Sequence, residues 1–393
     1  MLRYKQPTRH NRQNGLVMLM VVGVVVLMIV LLALLLEDQH RMIRQIGNQR
    51  VAEQAHHYSQ GLNAWALRVL HDDENPLVDH EDEKWAKFGR PEEDDEEESD
   101  EFSLQSSLTS DQDAEDEEDA TIDFGIDTVW VTIEDLQGKF NLNSLIAQQE
   151  DQAPPQTSRR IFLNLLQILE IGEFQEDRDQ LYWNLVDWLD ENDTSAGFGA
   201  ESTDYQIRSK PYYASDQPLT GIGELRYVKG FSKKLINDLK PFVTVLPVKN
   251  TRLNLNTVSS EVLASLAGGP IADPSGVDVF LARKEQPGFQ GFQTPDISAA
   301  ESAINTVSPG SNATRNMLQV NSQFFQINTR VELGDHKVCT RTIVLRPSVN
   351  GSTLQDAETT ISVLSREQDT ICQGEQPGQN TNDEQSDSDE DLS

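Results

Sequence analysis

Acidic side chains crowd positions 187 to 216 of this 393-residue chain: Asp187, Asp190, Asp193, Glu201, Asp204 and Asp216, with Glu191 and Asn192 among them. They surround a Gly- and Ser-containing run, "DENDTSAGFGAEST". Calcium takes six to eight oxygens from carboxylates, amides and backbone carbonyls, and loops supply these readily. The spacing is not the D-x-[DN]-x-[DN]-G of an EF-hand. Two readings therefore stand: a calcium ligand set drawn from these carboxylates, or a solvated acidic loop in which Asp190 or Asp193 caps a helix.

Other chemistry is thinly signalled. The sequence has no G-x-S-x-G, no P-loop and no H-E-x-x-H among its seven histidines, so no enzyme is expected. Two cysteines, Cys339 and Cys372, cannot build a thiolate zinc site; outside the cytoplasm they either pair or remain two thiols. "LTGIGELRYVKGF", with Gly221 and Gly223, and "LNLNTVSSEVLASLAGGP" have the look of helix-hairpin-helix units. Such units bind DNA phosphates, or their glycines merely shape turns in a helical packing module. A net charge of −33 and Glu224 in the first turn oppose a nucleic-acid partner, which needs a basic face.

The elements that carry these residues begin with a membrane segment. Leu16 to Leu36 is uncharged and apolar, long enough as a helix to cross roughly 30 Å of hydrocarbon. Arg3, Lys5, Arg9 and Arg12 precede it, which puts the N-terminus in the cytoplasm and the bulk outside. The run is too long for a signal peptide, and leads into "EDQHRMIRQ" rather than a small-residue cleavage site. A plain anchor and a prepilin-type leader, cut between Gly15 and Leu16, both fit. Helical periodicity then continues through Met42, Ile46, Ala52, Ala55, Leu62, Trp65, Ala66, Val69 and Leu70 until Asn75-Pro76, predicting one rod of about 55 residues.

Two stretches, 91–119 and 373–393, are acidic without a single Lys or Arg, and are read as disordered. "DTVWVTIEDLQGKFNLNSL" alternates, turns at Gln137-Gly138 and resumes, which predicts a hairpin. Helical patterns fill about 158 to 310, and strands return in "QFFQINTRVELGDHKVCTRTIVLRPS" and "TTISVLSRE". The expectation is an α+β fold: a long N-terminal transmembrane helix, a small antiparallel sheet, and a large α-helical insertion between its strands.

These pieces in this order resemble the minor pseudopilin K family of type II secretion systems. The matching elements are the Gly15–Leu16 junction, "AHHYSQGLNAWALRVL", "IEDLQGKFNLNSL", "VDWLDEND", "DQPLTGIGELRYVKGF", "LNLNTVSSEVLASL" and "RVELGD". The resemblance implies a leader over 1–15, a transmembrane helix over 16–36, a pilin helix over 37–75 and pilin-like strands over 127–150. It further implies a helical insertion over 151–317, made of two SAM-like units (about 158–245 and 250–310), and a pilin-like sheet over 318–367. An acidic disordered insert over 76–126 and an acidic disordered tail over 368–393 are read from composition and lie outside the family pattern. Also implied are cleavage by a prepilin peptidase after Gly15, and methylation of the new N-terminus. Met20 stands where most pseudopilins keep a glutamate, and this family is the one that lacks it.

The implied role is assembly at the tip of a pseudopilus with minor pseudopilins I and J, other pseudopilins and the inner-membrane assembly platform, from a single pass in a Gram-negative inner membrane. Exported substrates or the outer-membrane secretin are further implied contacts, and calcium is implied in the insertion, with Asp190, Asp193, Glu201 and Asp204 as its foremost donors. The rivals are a membrane-anchored competence-type DNA-binding protein and a tethered calcium-binding adhesion module.

Overall fold

A computed structural model describes residues 13–73, 75–87, 128–146, 155–195, 197–267, 274–286, 289–304, 316–334, 336–347 and 361–369. Helix α1, Gln13–His71, runs unbroken for 59 residues, about 89 Å at 1.5 Å per residue. Its apolar window Met18–Leu35 has no protein packed on it. Further along, Met42 and Ile46 remain exposed, so the periodic stripe is covered only from about Val51 onward. There Ala55, Ser59, Leu62, Asn63, Ala66 and Leu70 are buried, the three- and four-residue spacing of one helical face.

That face lies on a four-stranded antiparallel sheet of order β1-β6-β7-β8: β1 Thr128–Asp135, β6 Phe324–Leu333, β7 His336–Leu345 and β8 Ser362–Asp369. Strand alternation turns Val129, Val131, Ile133, Phe325, Ile327 and Val331 toward α1. Two polar positions of α1 in the middle of the contact bond across to the sheet. Ser59 Oγ lies 2.9 Å from Thr329 Oγ1, and Asn63 Nδ2 donates to Thr340 Oγ1 at 2.9 Å.

The helical body is inserted between β1 and β6. Its longer helices are α3, Gln156–Ile168, and α4, Gln175–Leu189. In α3, Ile161, Phe162, Leu165 and Leu166 form the inward stripe, packed with Leu181, Leu185, Val262 and Leu263 in one core. The short segments are α5 Ser202–Gln206, α6 Lys233–Leu239, α7 Ser260–Ser265, α8 Pro274–Leu281 and α9 Ile297–Ile304.

Two Asn-Leu-Asn repeats organise this body. Asn141 ends β2 (Phe140–Asn141), which pairs in parallel with β3 (Val243–Thr244). Asn254 ends β4 (Leu253–Asn254), which pairs in parallel with β5 (Leu318–Gln319). In each repeat the first asparagine accepts from the N–H of the second. The second asparagine donates to carbonyls far along the chain: Asn143 to Leu219 O and Leu246 O, Asn256 to Phe292 O and Val320 O. Buried amides thus make the same pattern of bonds at two places in the helical body.

The structure corrects two expectations. Gln137-Gly138 is not a hairpin turn: β1 pairs with β6, and β2 with β3. Gly138 lies in a short 3₁₀ turn, where a Cβ would come within 2.6 Å of Thr257 O. The glycine is there for a close approach between backbones, which a sequence shows in the same letters as a turn. Likewise the acidic insert does not begin at 76. Val78 and Trp85 are buried, and Lys84–Lys87 forms helix α2 against β1, because these few apolar residues have a core to join. Residues 88–127 and 370–393, which hold most of the acidic insert and tail, lie outside the described residues.

"LTGIGELRYVKGF" forms a 3₁₀ helix, Ile222–Tyr227, rather than the first helix of a hairpin. Gly221 is extended there, and the nearest atom to its missing Cβ is a carboxylate oxygen of Glu367 on β8.

Candidate metal centre

Helix α4 brings the first acidic residues into place. Its inward face buries Asp187 completely, next to Trp188 and Leu189, and Asp190 caps the end. The chain loops out and returns through Gly199, where a Cβ would overlap Asp187 Oδ2; only glycine lets the strand pass so close. Ser195 Oγ donates to Asp187 Oδ2 at 3.0 Å and holds the loop down. Glu201 then starts α5, and Asp216 returns to α4 by donating its N–H to Trp188 O at 3.2 Å. Asp216 has a left-handed backbone (φ 49°), unusual for a residue other than glycine, so local strain is held at this point.

One carboxylate oxygen from each of Asp193, Glu201 and Asp216 lies within 4.8 Å of the other two. Glu201 is 4 % exposed, yet neither Oε atom has a hydrogen-bond partner, and Asp216 Oδ1 is equally unmatched. Buried carboxylates without donors are costly, because charge is removed from water with nothing to compensate it. Burial, then the neighbouring Asp187, Asp190, Asp216 and Asp193 charges, push the Glu201 carboxyl up to about 8. Burial, opposed by the Asn192 N–H and reinforced by Asp187 and Asp216, lifts Asp190 to about 6. Asp216 is raised by burial and by Asp193.

Five of the six carboxylates expected from sequence therefore bear on one place. Asp193, Glu201 and Asp216 converge directly; Asp187 and Asp190 border them electrostatically. Asp204 does not. Its Oδ2 accepts from the Glu201 N–H at 3.3 Å and its Oδ1 pairs with Lys229 Nζ at 3.4 Å, so it caps α5 and faces a cation of its own. All-oxygen donors with orphaned negative charge suit a hard divalent ion such as calcium, with loop carbonyls and water completing the shell. When bound, the ion would supply the positive charge this loop lacks.

The remaining marked residues lie elsewhere. Gly15 and Leu16 fall in the first turn of α1, and Met20 is exposed on its apolar half. Cys339, on β7 opposite Asp369, is disulfide-bonded; Cys372 lies outside the described residues. Sequence reading passed over a second acidic centre, Asp73, Asp79 and Glu83, and the buried Arg346 beside it. Its members are scattered over 274 positions, and only Arg346, a lone cation after a strand, offered any signal.

A family model described as type II secretion system (T2SS), protein K matches residues 138–248, a stretch that contains the acidic positions from Asp187 to Asp216. A type II secretion system protein K of Pseudomonas aeruginosa is 29 % identical, over 83 % of this chain and 86 % of its own length. The protein of the same name from Aeromonas hydrophila is 27 % identical, over 86 % and 95 %. In the crystal structure of the GspK–GspI–GspJ complex from the enterotoxigenic Escherichia coli type 2 secretion system, one chain superposes with a TM-score of 0.58 at 20 % identity. The match covers 83 % of this chain and 99 % of that one, and shows a shared fold.

Proposed function

We propose that the chain is a member of the type II secretion system protein K family and works as a minor pseudopilin that assembles with minor pseudopilins I and J at the tip of a pseudopilus. One observation carries this reading: a single helix, α1, is bare and apolar over Met18–Leu35 and packed on the sheet from about Val51 onward. Such a rod is built to lie among other helices in and just above a membrane while holding a folded head at fixed height. The complex named for the solved relative, GspK–GspI–GspJ, supports I and J as partners.

The finer steps rest on the family. Cleavage between Gly15 and Leu16 would leave α1 on the mature chain, with the N-terminus on the cytoplasmic side of the inner membrane. Met20 would then be the fifth residue. A carboxylate in the bilayer costs about 3 kcal/mol unless paired, so a subunit with no neighbour above it has no use for one. That places this subunit first in the filament, where the helical body, read as two SAM-like units, widens the tip toward exported substrates or the secretin. Calcium at Asp193, Glu201 and Asp216, bordered by Asp187 and Asp190, would rigidify that body; the orphaned oxygens of Glu201 support it.

The test is intact mass and N-terminal sequence of the protein taken from host membranes, together with co-purification of I and J. A methylated chain beginning at Leu16 that carries both partners is expected. A chain beginning at Met1 that binds neither sinks the reading. Met20→Glu is expected to disturb tip position and secretion; unchanged secretion would remove Met20 from the argument.

A further inference from the structure

Where α1 ends, Asp73, Asp79 and Glu83 bring one carboxylate oxygen each within 4.8 Å of one another, the same closeness found at the metal centre. Here the space has an occupant. Arg346, 2 % exposed at the end of β7, reaches Asp73 Oδ2 with Nη1 at 2.6 Å and both Asp79 oxygens with Nη2 at 2.5 Å. Its guanidinium also donates to Ser322 O at 3.0 Å and lies 4.7 Å from the centre of the Phe325 ring.

We propose that Arg346 is the resident cation of a pocket that otherwise has the carboxylate geometry of a divalent-ion site, and that it fixes the pose of the helical body on the anchor helix and sheet. Its partners come from every part of the molecule. Asp73 and Asp79 follow α1; Ser322 leads into β6; Arg346 follows β7. The helical body enters through Asn254, whose Nδ2 donates to Asp79 O, Asp135 Oδ2 and Ser322 Oγ at 3.0–3.1 Å. It enters again through Thr257 Oγ1, 2.6 Å from Asp135 Oδ2, and through Val320 O, which accepts from the Asp79 N–H at 2.9 Å. Asp79 is wholly buried, and Ser322 N–H donates to it at 2.6 Å. With several carboxylates and one guanidinium enclosed together, removing the guanidinium strands negative charge in the interior. A planar fork suits the place because it bonds two carboxylates at fixed angles, which a lysine point charge cannot do.

The experiment uses the full chain in detergent, carrying Glu201→Gln so that the loop centre contributes as little as possible to any calcium response. In that background Arg346→Ala is expected to lower Tm by about 10 °C. Millimolar calcium should recover at least half of that loss, while giving no comparable shift in the Arg346-bearing parent. An unchanged Tm, or a loss that calcium leaves untouched, overturns the resident-cation half. Should Arg346→Ala fail to fold, calcium that restores folding supports it, and calcium that does not overturns it.

The positioning half is read in Arg346→Met with Asp73→Asn and Asp79→Asn, which removes the charges together. Spin labels at Glu53→Cys and Lys234→Cys, both exposed in the parent, should report a distance distribution at least twice as broad as the parent's. A distribution as narrow as the parent's, at any Tm, overturns positioning. Both readouts stand whether or not the loop centre binds calcium, because each compares variant with parent in one background.

Discussion

Two carboxylate triads of equal closeness sit at opposite ends of the polarity problem. At the end of α1, Asp73, Asp79 and Glu83 surround a guanidinium and a dense set of protein donors. In the loop after α4, Asp193, Glu201 and Asp216 face one another, with both Glu201 oxygens and Asp216 Oδ1 unmatched. The first has its counter-charge built into the chain; the second, on the proposal that it binds calcium, would take it from solution. A built-in cation gives a joint that is set on folding, whereas an ion from outside gives a loop whose rigidity follows its concentration. The contrast also explains location: the permanent cation is at the junction of anchor, sheet and helical body, and the triad proposed to take calcium is at a loop of the helical body.

If that contrast is right, the largest effect should come from the junction. Asp79→Ala removes a buried partner of Arg346 and of the Ser322 N–H, and is expected to cost about 3–5 kcal/mol in denaturant unfolding, with no recovery on adding calcium. Next is withdrawal of calcium from the wild-type chain. For calcium at a hundredfold excess over Kd, chelation should cost about 2.7 kcal/mol and open the loop between Asp190 and Asp216 to proteolysis. Equal protease resistance with and without chelator would erase the difference between the triads.

A smaller effect follows from protonation. Glu201 is raised from its ordinary value to about 8 and Asp190 to about 6. Between the ordinary carboxylate range and those values, the metal-free folded protein holds more protons than the unfolded chain, so its stability falls as pH rises through that window. Calcium competes with those protons, so the Tm gain it gives should grow from pH 5 to pH 8. Glu201→Gln should flatten both trends; a pH-independent calcium shift would count against Glu201 as a ligand. Smallest of all, Asp204→Asn should change calcium affinity by less than about threefold, since Asp204 serves Lys229 and the start of α5, and cost about 0.5–1 kcal/mol through the lost cap. A hundredfold loss would return Asp204 to the ligand set.

Much of the fold was legible because it follows local rules. The apolar run, the helical stripe from Ala55 to Leu70, the α3 and α4 periodicities and the alternation of Val129, Val131 and Ile133 each depend on neighbours in sequence. Legible too was the crowding of Asp187 to Asp216, because those carboxylates are close in the sequence itself. Illegible were the features whose partners are distant. Gly138 read as a turn until Thr257 was seen against it, and nothing in the sequence marked the distant carbonyl partners of Asn143 and Asn256. Asp204 looked no different from Glu201 in the sequence, and only the position of Lys229 separated them.

By itself, then, the sequence determined the apolar helix, the order of most helices and strands, the acidic loop and the resemblance to a family, because hydrophobic period, charge density and motif order are properties of contiguous residues. The tertiary structure alone decided which carboxylates converge, how β1 is paired, and that a single arginine after β7 closes the joint between anchor and head. Burial and pairing are relations between residues that meet only when the chain is folded: Asp73, Asp79 and Arg346 acquire their shared charge problem, and its solution, at the moment water leaves the space between them.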